Sequence, residues 1–357
     1  MPAEDLTLPS LDLRALARRA AVPAAAAAVL VAAVLVLGGP LETFADAVRR
    51  AVSADPAWVV GAAAFELVSF GGYILLLWLV GSRVSSRLGL RESAEITLGG
   101  AAATRLLPTA GVGGAAMTLW SFRRSGMTTR DATSTLLTFL VLVYAVFLGA
   151  IAVSGTVLAL YGIGPLALTA IPAAAAYVAM ALGLAAAVWM PAEGTGRVRT
   201  AGAVLGGAVR AAIEHVRSAD PRLLGAFAWW GFDMAVLYGM LNAFGTAPPF
   251  AVVVLAYFIG QVANTIPFPG AASGGLVGVL LAFGVTADLA IVAVLAYRAL
   301  AIWVPAPIGL VALGKLRGTM ARWQREDAAV EAEHTPEPIR PRESRPAWRP
   351  LEVAAAA

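Results

Sequence analysis

Cysteine is absent from this chain and histidine occurs only as His215 and His334. The first absence rules out disulfides, thiolate metal sites and thiol nucleophiles. The second leaves little with which to build a metal centre: no HExxH pair is present, and neither a GxSxG elbow nor a phosphate-binding P-loop occurs. No metal, no cofactor and no nucleotide-driven pump is therefore expected, and the chain is read as a non-enzyme. Charge is scarce too: Asp, Glu, Lys and Arg make up 13% of 357 residues against 59% hydrophobic, with a mean hydropathy of +0.78. Such a mixture excludes an ordinary soluble domain, and no charged, mixed-pattern stretch is long enough to fold separately. The net charge of +4 resides in loops and the C-terminal segment. With no base-reading motif, the expected partners are membrane lipids and anionic headgroups, not nucleic acid.

Long apolar runs are what the chain has in abundance. Six can cross a bilayer, which takes about 20 apolar residues: Ala20 to Gly39, Ala57 to Val80, Ala132 to Val153, Pro165 to Met190, Leu223 to Phe244 and Leu289 to Leu313. The first follows Arg14, Arg18 and Arg19, and its unbroken length favours an anchor over a cleaved signal peptide. Two further apolar stretches, 94–122 and 250–285, are interrupted near their middles by RLLPTAGVGG (Arg105 to Gly114) and NTIPFPGAASGG (Asn264 to Gly275). Pro108, Gly111, Gly113 and Gly114 break the first; Pro267, Pro269, Gly270, Gly274 and Gly275 break the second. Each half, about 14 residues or about 21 Å of helix, reaches the bilayer midplane without crossing it. Freed backbone groups at that depth must pack in protein or line a cavity, which makes the pair a pointer to a transport site.

Loop charge decides whether these stretches re-enter or cross. If both are re-entrant and the N-terminus is cytoplasmic, Arg83, Arg87, Arg91, Arg123, Arg124, Arg130 and the five arginines from Arg197 to Arg222 all fall on the cytoplasmic side, while 154–164 and 245–249 carry no charge. The positive-inside rule is then satisfied. Pro108 and Pro267 are 159 residues apart, and each break is followed by a Gly-x-Thr turn, Gly126-Met127-Thr128 and Gly284-Val285-Thr286. Three crossings between the hairpins make the repeats inverted. The expected fold is thus an all-α polytopic membrane protein with six crossing helices and two re-entrant broken-helix hairpins, eight segments by hydropathy. Its membrane domain covers 20–315, between a cytoplasmic segment 1–19 and a largely disordered Arg/Pro-rich tail 316–357. Residues 197–217 alternate apolar and charged groups at helical spacing and suit an interfacial or connecting helix. Trp58, Trp78 and Trp189, at span ends, suit interfacial anchors.

Four ionisable residues lie inside the apolar stretches: Glu66, Arg105, Asp233 and Arg298. A charge at the bilayer centre costs at least about 2.5 kcal/mol, so each is a candidate for substrate binding or for a structural ion pair. Gln261 and Asn264, near the second break, add polar groups able to bind a headgroup or to satisfy freed carbonyls.

At the two breaks the sequence resembles the membrane domain of bacterial lysylphosphatidylglycerol synthases/flippases and their stand-alone relatives, a resemblance covering about residues 20 to 315. It implies movement of lipids between leaflets of the plasma membrane. Because only a short segment follows Lys315, it also implies a membrane domain without the synthase's separate aminoacyl-transferase part. Arg105 stands where that family's pattern suggests asparagine. The residues themselves leave two other readings open: an ion-coupled carrier of a small polar solute, and an integral-membrane transferase acting on a lipid-linked substrate.

Overall fold

The computed structural model describes residues 54–106, 112–190, 197–263 and 270–334, and every regular element among them is helical. In chain order these are α1 (Pro56–Ser82), α2 (Leu90–Leu106), α3 (Val112–Arg124), α4 (Thr129–Leu160), α5 (Leu166–Trp189), α6 (Arg197–Arg217), a 3-10 turn (Pro221–Leu223), α7 (Leu224–Phe244), α8 (Phe250–Ala263), α9 (Ala271–Ala282), α10 (Ala287–Trp303) and α11 (Pro305–His334). Five segments are long and apolar enough to cross a membrane: Pro56–Ser82, Thr129–Leu160, Leu166–Trp189, Pro221–Phe244 and Ala287–Glu331. The chain is a multi-pass membrane protein. The expected first crossing, Ala20 to Gly39, lies outside the described residues, as do 1–19 and 335–357.

An antiparallel pair, α1 and α7, forms the axis of the bundle. Asp55 donates its N–H to the Ala243 carbonyl at 3.3 Å, Phe65 packs on Phe232 at 5.7 Å between ring centroids, and the Ser69 hydroxyl donates to the Trp229 carbonyl at 2.8 Å. Close approach is possible because the contact is glycine on glycine: a Cβ added to Gly72 would sit 2.6 Å from the Gly225 carbonyl oxygen. Small residues serve this purpose where helices pack without a hydrophobic driving force.

One end of the pair is rich in arginine. Arg83 reaches Ser218 at 2.9 Å, and Arg222 reaches Ser82 at 3.4 Å while stacking on Trp78 at 4.6 Å. The Asp220 carboxylate accepts from Arg222 at 2.7 Å, and that bond holds its pKa down to about 2. The arms α2 and α3 touch at Gly100 and Gly114, and their outer ends lie at this pole, where the Ser85 hydroxyl donates to the Ser125 carbonyl at 2.9 Å. The arms α8 and α9 touch at Gly260 and Leu276, and their outer ends lie at the opposite pole, where Phe250 packs on Tyr238 and Phe283 lies against Gly164. The first arm of each hairpin packs on a long helix from the other half of the chain: α2 on α11, and α8 on α4. Two hydrophobic cores result, one around Tyr257, Leu276 and Tyr297, the other around Leu88, Ile96, Phe122 and Phe139.

The two Gly-x-Thr turns fold alike. Gly126 and Gly284 take φ of +90° and +83°, a region that disfavours residues with a Cβ. In each turn the next N–H reaches back five residues, Met127 to the Phe122 carbonyl at 3.3 Å and Val285 to Leu280 at 3.1 Å, the wide bond of a Schellman cap. Thr128 and Thr286 then sit at the N-caps of α4 and α10.

The C-terminal region differs from the sequence-based expectation. The crossing expected at Leu289 to Leu313 is divided at Val304, and the helix beginning at Pro305 continues to His334, through much of what reads as a disordered tail. Proline lacks an N–H, which a first helical position does not use. Beyond Lys315, the side chains of Leu316, Met320 and Trp323 are buried in the second core. The polar face is bonded to α2 and to the connection before it: Thr319 donates to Glu95 at 2.6 Å, Arg322 to Glu92 at 3.1 Å, and Asp327 accepts from Arg87, just ahead of α2, at 2.6 Å.

Helix α6 forms over the expected residues and packs on α4 and α5, with Arg210 donating to the Ala187 carbonyl at 2.7 Å. His215, near its end, is buried, and burial together with the Arg83 charge holds its imidazole pKa below the usual 6.5. The folded state therefore binds fewer protons here than the unfolded chain. The stability this confers is complete above pH about 6.5 and is lost as pH falls below it. Melting temperature in detergent is expected to drop as pH falls below about 6.5, and His215→Leu is expected to flatten that dependence.

Candidate functional site

Asp233 lies in the middle of α7 with 8% of its surface exposed. One of its oxygens, Oδ2, accepts two phenolic hydroxyls, from Tyr257 on α8 and, at 3.1 Å, from Tyr297 on α10. Gln261 stands one helical turn after Tyr257 on the same face of α8 and donates its amide to the Tyr297 hydroxyl at 3.2 Å. Three helices are thus joined by one polar network inside an aromatic wall. Trp230 packs edge-on against Tyr257 at 6.2 Å and donates its indole N–H to the Val143 carbonyl at 2.8 Å. Such a network is tolerable in an apolar interior because its members satisfy one another.

Arg298 follows Tyr297 on α10, its guanidinium carbon 5.4 Å from the Tyr297 ring centroid. Its Nε and Nη2 atoms are shielded from solvent and have no hydrogen-bond partner among the described residues. These two donors form one edge of the guanidinium, the edge that grips an oxyanion through two parallel bonds. Leaving buried donors unmade costs about 1 to 3 kcal/mol, more for a charged group. Glu66 is buried on α1, where the antiparallel register sets it opposite Gly231 and Phe232, and both Glu66 and Arg298 act electrostatically on the Tyr297 hydroxyl.

Of the residues singled out from the sequence, Glu66, Asp233, Gln261 and Arg298 are therefore brought together. Arg105 lies in the last turn of α2. Gly113 and Gly114 begin α3, with Gly114 against Gly100; Gly270 precedes α9 at φ +85°, and Gly274 and Gly275 lie in its first turns, with Gly275 against Ala263. Asn264, Pro108, Gly111, Pro267 and Pro269 lie outside the described residues. Sequence reasoning missed Tyr257 and Tyr297. Their signal was available in the spacing of Tyr257 and Gln261, four apart, and in the adjacency of Tyr297 to Arg298.

The network belongs to one half of the chain. At the 159-residue spacing of the prolines, Tyr257 and Gln261 correspond to Leu98 and Ala102; at the 158-residue spacing of the glycine turns, Tyr297 and Arg298 correspond to Phe139 and Leu140. Phe139 and Tyr297 are both buried aromatics. The second half carries a hydroxyl and a guanidinium where the first has hydrocarbon. Chemically, this is a set of hydroxyl donors and carboxylates beside one cation with a free bidentate edge, enclosed among apolar helices.

The family profile described as the lysylphosphatidylglycerol synthase TM region matches residues 20–309 of the chain. No curated protein is significantly similar to it.

Proposed function

The chain belongs to the lysylphosphatidylglycerol synthase transmembrane-region family, and from that premise we propose that it is a flippase-type lipid transporter. Its cargo is an anionic or aminoacylated phospholipid, or another lipid-linked phosphate, and it moves between leaflets without covalent chemistry. The observation that carries this reading is the free edge of Arg298: two buried donors in fork geometry suit the oxygens of a phosphodiester. Glu66 and Asp233 offset the arginine charge when the site is empty, or take up the amine of an aminoacylated headgroup or a coupling proton. Arg105, in the last turn of α2, supplies a second cation at the first hairpin's tip, and acyl chains remain in the surrounding lipid.

In this reading α2–α3 and α8–α9 are re-entrant hairpins entering from opposite faces of the plasma membrane. The arginine-rich pole is cytoplasmic, as are both termini. The halves are inverted repeats, and rocking of one against the other exposes the site to each leaflet in turn. The opposite poles at which the hairpins open, and their exchanged packing on α11 and α4, support that arrangement.

The test is reconstitution of the purified chain into liposomes containing fluorescently labelled phosphatidylglycerol, with a membrane-impermeant quencher added outside. Transport is expected to expose nearly all of the label rather than the outer-leaflet share alone. Quenching no greater than in protein-free liposomes overturns the proposal. Uptake of a labelled water-soluble anion, with lipid unmoved, would instead mark a solute carrier.

A further inference from the structure

Away from the Asp233–Arg298 network, α2 and α11 enclose a groove of about 270 Å³ lined by Arg91, Ala94, Glu95, Leu98, Ile308, Val311, Ala312 and Lys315. The helices are antiparallel, with Glu95 opposite Thr319, Gly99 opposite Leu313 and Ala102 opposite Gly309. That register orders the lining along the bundle. Arg91 comes first, at the arginine-rich pole. Lys315, level with Leu98, lies two helical turns deeper, about 10 Å. Ala312, Val311 and Ile308 follow at increasing depth. The surface of the groove is almost wholly hydrocarbon, and the charged residues Arg91, Glu95 and Lys315 border it toward the arginine-rich pole.

Its charges are unequally satisfied. Glu95 is neutralised where it stands, accepting from Arg91 Nε at 2.9 Å and from Thr319 at 2.6 Å. Arg91 keeps its terminal nitrogens clear of that bond. Lys315 is exposed on the helix surface and has no partner among the described residues. In a membrane protein, an exposed lysine set two turns in from the polar end must either carry its ammonium outward along its own stem or meet an anion there. Arg91 and Lys315 outnumber the single carboxylate, which is already paired.

We propose that this groove is a second lipid site, independent of the transport site, that holds one anionic glycerophospholipid of the leaflet at the arginine-rich pole. Its phosphate lies between Arg91 and Lys315, and one acyl chain follows Leu98, Ala312, Val311 and Ile308. The occupant seats hairpin α2–α3 against α11. The site needs no flipping activity, so it stands whether or not the chain transports lipid.

The experiment uses the full chain in detergent micelles with a phosphatidylglycerol analogue bearing a photoreactive group in its acyl chain, followed by peptide mapping of the adducts. Adducts are expected on the peptides carrying Leu98 and Ile308 to Ala312. Lys315→Gln should lower their yield about fivefold, the worth of one lysine near an anionic lipid. Ala94→Phe, which fills the groove, should abolish them. The matching phosphatidylcholine analogue should label these peptides weakly. Arg298→Gln should leave them unchanged. Adducts insensitive to both Lys315→Gln and headgroup charge overturn the site. Their loss in Arg298→Gln overturns its independence, making the groove part of the transport route. Lys315 is exposed, so its variant remains informative even if Ala94→Phe does not fold.

Discussion

Arg298→Gln is expected to slow translocation of an anionic lipid by about 30- to 150-fold, the factor that corresponds to a charge-assisted pair of bonds worth about 2 to 3 kcal/mol. The effect follows from geometry. Nε and Nη2 are buried together without partners, so their bonds become available only when an oxyanion arrives. Arg298→Lys keeps the charge but replaces a planar fork with a point charge, and should fall between wild type and Arg298→Gln. A purely structural role makes a different forecast. If Arg298 served only to balance Glu66, then Glu66→Gln combined with Arg298→Gln would restore what either change alone removes. The transport reading expects the double variant to recover thermal stability and not translocation. The measurement is initial flipping rate in proteoliposomes set beside melting temperature for Arg298→Gln, Arg298→Lys, Glu66→Gln and the double variant. Equal rates for wild type and Arg298→Gln would remove the residue from the site.

That residue was legible in the sequence because charge is scarce there. In a chain of mean hydropathy +0.78, Glu66, Asp233 and Arg298 stand out against their surroundings, and the cost of burying a charge is what makes the contrast meaningful. The phenols were hidden by the same logic. Tyr257 and Tyr297 lie within apolar runs where a ring reads as packing, and only the fold shows both hydroxyls converging on Asp233. The glycine turns were legible because positive φ has a short list of tolerant residues, and Gly126 and Gly284 both take it. Helix α11 was misread for the opposite reason. Its buried stripe, Leu316, Met320 and Trp323, is diluted by Arg317, Arg322 and the prolines further on, so the average over the window is polar while one face is core. Spacing of three and four was the usable signal there, since it survives averaging. The stretches expected at Ala57 to Val80, Pro165 to Met190 and Leu223 to Phe244 match apolar helices within two residues at each end, because bilayer thickness sets a length that composition alone can meet. The one from Ala132 runs on to Leu160, and the last is divided at Val304 and extends well past Leu313.

The axis on which the site depends has a sharper test in its glycines. Gly72 and Gly225 face each other across the α1–α7 contact, and a methyl group on Gly72 would lie 2.6 Å from the Gly225 carbonyl oxygen and 2.8 Å from the Trp229 nitrogen. Those neighbours are backbone and cannot rotate away, so Gly225→Ala or Gly72→Ala must separate the helices. Forcing a methyl into a packed interior costs about 1 to 3 kcal/mol. The displacement also travels: Asp233 is two turns from Gly225 on α7, and its bonds to Tyr257 and Tyr297 require that helix to hold its distance from α8 and α10. Gly225→Ala is therefore expected to lower both melting temperature and flipping rate. Gly231, on the same helix and nearer to Asp233, supplies the control, because a Cβ there meets nothing within 4 Å. Gly231→Ala should leave stability unchanged or slightly raised, since alanine favours helix more than glycine does. If Gly225→Ala proves as harmless as Gly231→Ala, the close contact of α1 with α7 does not set the position of Asp233. If Gly225→Ala slows flipping at temperatures where the protein remains folded, spacing along this axis controls the site.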